Sequence, residues 1–130
     1  MADSESSKKT NLTLCTDGAN RTAEDYKETY IHELMHAFDH CQKNKKEFSC
    51  DEKICSELKA YSEDGSCMPG GSYRLQGETE RECIERGTLN SVLGQGKCSK
   101  KRKDSLQTTI TSKFGYCVSR EVRNRTNQDK

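Results

Sequence analysis

His32, Glu33 and His36 spell HExxH. Two imidazoles four residues apart on a helix leave the same face about one turn apart, so both can ligate one Zn2+ at about 2.0 to 2.1 Å, with the intervening acid beside the open coordination position. In such a site the metal lowers the pKa of a bound water to about 7, Glu33 takes its proton, and the resulting nucleophile attacks a carbonyl that the metal polarises. A hydrolytic site needs a third protein ligand. His40 lies eight residues beyond His32, about 12 Å along a helix, too far to share the ion. Asp39 is better placed to orient a ligand than to be one. Glu57, 21 residues after His36 and on the next predicted helix, completes a His2Glu set. For the group that stabilises charge on the carbonyl oxygen the candidates are Tyr61, Tyr73 and Arg86, and the sequence does not choose among them.

These residues need helices to position them. Thr22, with Asp25 three residues on, caps a helix expected to run to about Gln42. At 100° per residue, Tyr26, Tyr30, Leu34, Ala37, Phe38 and Cys41 fall within an arc of about 120°, which reads as its packing face. The three histidines and Glu33 fall nearly opposite. Ser49 followed by Glu52 announces a second helix with the stripe Ile54, Leu58 and Tyr61, stopped at Gly65. A loop rich in Gly and Pro, SCMPGGSYRLQG, leads to a third helix from about Thr79 to Leu93, ended by Gly94 and Gly96. The last helix, capped by Asp104 or Ser105, carries Leu106, Ile110, Phe114, Cys117, Val118 and Val122. NLTLC alternates, so a short strand at Leu12 to Cys15 would turn a mainly α chain into α+β. Residues 1–10 and 124–130 read as disordered tails around one domain, 11–123.

At 130 residues the chain is a single domain, and with 30% hydrophobic against 33% charged residues, no Trp and three Phe, its core must be thin. Eight cysteines with no CxxC pair exclude a closed zinc ribbon or finger and point to a disulfide framework whose pairing the sequence leaves open. No apolar run is long enough to span a membrane. Residues 1–65 carry net charge −5 and residues 66–130 carry +6. The basic run Lys97, Lys100, Lys101, Arg102 and Lys103 has no interleaved aromatic to stack on bases, which argues against nucleic acid and for a solvated loop or contact with an anionic membrane surface or partner. The opening MADSESSKK, acidic and Ser-rich, reads as neither a secretory signal nor an Arg-rich presequence.

Several ordered strings carry a resemblance. HELMHAFDHC (32–41), CSELKA with SEDGSC (55–67) and ECIERGTLNSVLGQGKC (82–98), with LCTD before them and Cys117 after, resemble the mitochondrial inner-membrane metalloprotease family that matures a mitochondrially encoded ATP synthase subunit. The resemblance spans about residues 12 to 118. It implies a compact, zincin-like helical domain stapled by disulfides, with zinc held by His32, His36 and Glu57 and with Glu33 as catalytic base. It implies a zinc endopeptidase on the intermembrane-space side of the mitochondrial inner membrane, peripherally associated. Its substrate would be the precursor of an ATP synthase membrane-sector subunit, and it would also assist ATP synthase assembly. Import through the intermembrane-space disulfide relay agrees with the cysteine count. The alternative is a non-catalytic assembly chaperone with a structural or vestigial zinc site. The chain departs from the family pattern at Ile84 to Gly87 and in QKNKKEFSC after the histidines.

Overall fold

The computed structural model describes residues 23–44 and 47–127, with side chains from Lys27 onward among the first of these, and contains no strand among them. The strand expected at Leu12 to Cys15 and the tail at 1–10 lie outside the described residues. Five α-helices are present: α1 (Ala23–Lys43), α2 (Cys50–Glu63), α3 (Glu80–Val92), α4 (Lys103–Cys117) and α5 (Arg120–Asn127), with a 3-10 turn at Gly96–Cys98. The fold is mainly α.

Local chemistry sets most boundaries. Ser49 and Thr79 each close a reciprocal capping box, with Glu52 and Glu82 respectively, satisfying orphan amides at the starts of α2 and α3. Gly65, at φ +86°, takes the left-handed conformation that lets the chain turn away after α2. The last predicted helix is two. Val118 is extended (φ −97°, ψ 160°), and the Ser119 hydroxyl accepts from the Val122 amide at 3.2 Å, so α5 starts afresh. The α4 cap is Arg102, which offers no side-chain acceptor, and Asp104 and Ser105 sit inside the first turn. Residues 124–127, assigned to a tail by their polarity, are helical because Arg125 binds the buried Glu80 carboxylate at 2.7 and 2.9 Å and Thr126 is buried.

The apolar core is built by α2, α3, α4 and α5. Ile54 and Leu58 of α2 meet Ile84 and Val92 of α3 and Ile110 and Phe114 of α4, all of them buried. Three disulfides pin the same body: Cys50–Cys98, Cys55–Cys117 and Cys67–Cys83, closing loops of 48, 62 and 16 residues. In the chain-entropy account each contributes about 3 to 4 kcal/mol, which offsets the small core. Cys41 is exposed and free.

Among the described side chains of α1, from Lys27 onward, none belongs to this core cluster. The expected packing face of α1 is its outer face: Tyr30, Leu34 and Phe38 are 45%, 40% and 59% exposed, and Cys41 is exposed with them. The stripe that docks on the body is Glu28, His32, His36 and Asp39, offset by two residues and so about 200° around the helix. The reason is pairing. Each of these polar groups meets a partner: Glu28 binds Ser72, His32 and His36 bind side chains of α2 and its end, and Asp39 binds Lys59 at 3.1 Å. Hydrogen-bonded polar groups can form a helix interface as readily as apolar ones when every partner is present.

Candidate metal centre

The HExxH residues sit in the middle of α1, and Glu57 sits in the middle of α2, directly across the polar interface. Position 57 is one residue from Leu58 and three from Ile54, so the helix that buries those two side chains also carries the Glu57 carboxylate inward, where it is 4% exposed. His32 Nε2 stands 3.2 Å from Glu57 Oε1, and His36 Nε2 stands 3.2 Å from Glu57 Oε2. The two imidazoles meet edge to face, with centroids 4.7 Å apart.

The other ring nitrogens are also engaged. His32 Nδ1 donates to Asp64 Oδ2 at 2.7 Å, and His36 Nδ1 hydrogen-bonds Ser56 Oγ at 2.9 Å. Both Nε2 atoms therefore face the Glu57 carboxylate, one toward each of its oxygens. One ligand atom from each of His32, His36 and Glu57 lies within 4.8 Å of the others, so this donor set fits a metal ion. His40, by contrast, is stacked on Phe48, with centroids 4.0 Å apart, and Asp39 is paired with Lys59 and Lys43, so neither joins the set.

Electrostatics follow from this geometry. Burial alone would lower the His32 pKa, but hydrogen bonds to Asp64 and Glu57 outweigh it and raise it from 6.5 to about 9. Burial would raise Glu57, yet hydrogen bonds from His32 and His36, with the charge of Lys53, hold it well below the usual carboxylate range. His32 and Glu57 thus form a coupled ion pair within the site.

The set opens into a cleft of about 500 Å3 whose walls include Glu33, Lys53, Tyr61 and Tyr73. Tyr61 lies edge to face on His32 at 4.5 Å and hydrogen-bonds Ser91 at 3.0 Å, and burial pushes its hydroxyl up to about 12. Gly87 makes room for it: a Cβ there would meet the Tyr61 ring at 2.8 Å. The Tyr73 hydroxyl accepts from Asn90 at 2.8 Å. Arg86 is engaged elsewhere, bound to both oxygens of Glu78 at 2.6 and 2.9 Å and to the Tyr73 carbonyl. Lys53, which no sequence motif singles out, places its ammonium 3.0 Å from Glu57 Oε2. Asp64 and Ser56 were equally invisible, because only the approach of α1 to α2 brings them to the histidines.

The domain is mainly helical and carries two histidines four apart, a facing glutamate and an acid on the cleft wall. The sequence matches the Peptidase M76 family over residues 2–122, and the chain belongs to that family. It is similar to proteins named mitochondrial inner membrane protease ATP23. The relative from Vanderwaltozyma polyspora is 28% identical over 61% of this chain and 34% of its own length. That from Mycosarcoma maydis is 27% identical over 88% of this chain and 54% of its own, and that from Sclerotinia sclerotiorum is 28% identical over 83% and 45%. The chain spans about a third to a half of the length of these relatives. No solved structure matches. No helix among the described residues is long and apolar enough to cross a membrane.

Proposed function

We propose that this chain is a zinc-dependent endopeptidase acting at the mitochondrial inner membrane from the intermembrane-space side, with the precursor of an ATP synthase membrane-sector subunit as substrate. The observation that carries the reading is the grouping of one ligand atom each from His32, His36 and Glu57 within 4.8 Å of one another, with Glu33 on the wall of the same cleft. His32, His36 and Glu57 would hold the zinc, which when bound polarises a peptide carbonyl and acidifies water. The Glu33 carboxylate is the base that receives the water proton and passes it to the leaving amine. Tyr61, protonated at all working pH, donates to the carbonyl oxygen as it gains charge, and its ring closes one side of the cleft against water. Arg86 is excluded from that role by its hold on Glu78. The likeness to proteins named as inner membrane proteases supports the compartment and a polypeptide substrate.

The test is zinc content and precursor cleavage with purified, oxidised protein. Wild type should bind one zinc per chain and cleave the precursor, and Glu33→Gln should keep the zinc and lose cleavage by at least about a hundredfold. A zinc-loaded wild type that cleaves neither the precursor nor a peptide library refutes the peptidase reading. An added assembly role is favoured by the exposed apolar stripe of Tyr30, Leu34 and Phe38, which suits contact with an apolar polypeptide segment. Rescue of ATP synthase assembly by Glu33→Gln in cells would separate that role from proteolysis.

A further inference from the structure

We infer that Asp64 is a positioning residue that orients His32 for the metal and makes the two histidines unequal ligands; this rests on the reading of His32, His36 and Glu57 as a metal set. Asp64 is an unexpected residue at its place in the fold. It caps the C-terminus of α2, directly after Glu63, with no basic residue in the last turn. A carboxylate there opposes the negative end of the helix dipole, at a cost of about 0.3 to 1 kcal/mol. Burial adds to that cost, since Asp64 is 4% exposed. A buried anion in such a position requires compensation.

The compensation is local and complete. Oδ1 accepts from the Ser66 amide at 2.8 Å and the Ser66 hydroxyl at 2.6 Å, and Oδ2 accepts from His32 Nδ1 at 2.7 Å. Gly65, in the left-handed conformation, turns the chain so that Ser66 reaches back. The carboxylate is thereby held rigid from one side while its second oxygen is aimed at the imidazole.

The chemical consequence differs between the two histidines. A carboxylate only accepts, so Asp64 holds a proton on His32 Nδ1 and leaves Nε2 as the nitrogen available to a metal. Ser56 Oγ, facing His36 Nδ1, both donates and accepts, so it orients the ring without fixing its tautomer. His32 is the pre-oriented ligand, and His36 is the freer one. The short segment Asp64-Gly65-Ser66 is therefore part of the metal centre, although none of its side chains would touch the ion.

The test compares wild type, Asp64→Asn, Asp64→Ala and Ser56→Ala as full chains with disulfides intact and folding checked by circular dichroism. Zn2+ affinity is measured by competition with a chromophoric chelator, and ligand geometry by the visible absorption of the Co2+ form. Asp64→Asn keeps the shape and removes the charge, so it carries the test should the alanine variant not fold. Expected is a loss of about 10- to 100-fold in Zn2+ affinity with an altered Co2+ spectrum for Asp64→Asn, against less than about threefold for Ser56→Ala. A folded Asp64→Asn with wild-type affinity and spectrum overturns the inference alone, as does an equal loss in Ser56→Ala. A wild type that takes up neither ion overturns the metal reading and this inference together.

Discussion

Removing the metal should give the protein a stability that falls as the solution becomes more alkaline. In the metal-free site His32 is held between Asp64 and Glu57, and its pKa rises from 6.5 to about 9. A pKa raised by folding means the native state binds the extra proton between those values. The stabilisation is therefore fully present below pH 6.5 and is lost as pH rises through about 9. The size of the shift corresponds to about 3 kcal/mol, lost at roughly 1.4 kcal/mol per pH unit. Glu57, held low, acts in the opposite direction: its contribution is present near neutrality and lost only in acid. Metal loading should invert the alkaline trend, because ligation needs neutral His32 and the proton is released. The assay is urea unfolding at pH 6, 7.5 and 9 in chelator and again in excess zinc, without reductant. His32→Gln serves as the reference that cancels other titrating groups. Metal-free wild type and His32→Gln with parallel pH profiles would refute the reasoning, since no proton would then be held between the two carboxylates.

The reversed face of α1 predicts that Phe38→Ser changes folding stability by no more than about 0.5 kcal/mol, whereas Ile54→Ala costs about 2 to 5, both read by chemical denaturation. Gly87→Ala drives a Cβ toward the Tyr61 ring and should cost about 1 to 3 kcal/mol in thermal unfolding. With precursor cleavage established, the same substitution should lower kcat by displacing that ring from His32. Replacing both Cys55 and Cys117 by serine opens the 62-residue loop and should cost about 2 to 5 kcal/mol by calorimetry, an effect absent when wild type is already reduced.

What the sequence disclosed was governed by range. The starts of α2 and α3 were legible because a capping box is a dialogue between residues three apart, and Ser49 with Glu52 and Thr79 with Glu82 both close it. The HExxH spacing was legible for the same reason, and the next helix brings Glu57 to it at 3.2 Å. Asp64, Ser56 and Lys53 escaped notice because their partners are set by helix packing rather than by spacing. The apolar stripe of α1 points outward because polar pairing, not apolar burial, docks this helix. Its neighbours on α2 are Ser56, Glu57 and Lys59, and against those a stripe of acids and imidazoles is the complementary face. The break at Val118 was hidden by a continuous apolar rhythm across two helices, and only Ser119, a good cap, marked the restart.

The allocation of cross-links divides the molecule mechanically. All three disulfides and the apolar cluster lie in the body from α2 to α5, while α1 is tied to that body through polar contacts. Such contacts can open without breaking the covalent frame. The helix that carries both histidines and Glu33 is accordingly joined to α2 and its Glu57 by no disulfide among the described residues. In the proposed ligand set two members lie on α1 and one on α2, so ion capture would draw these two helices together. Amide protons of α1 should then exchange faster than those of α2 in chelator and fall into step with them once the ion is in place.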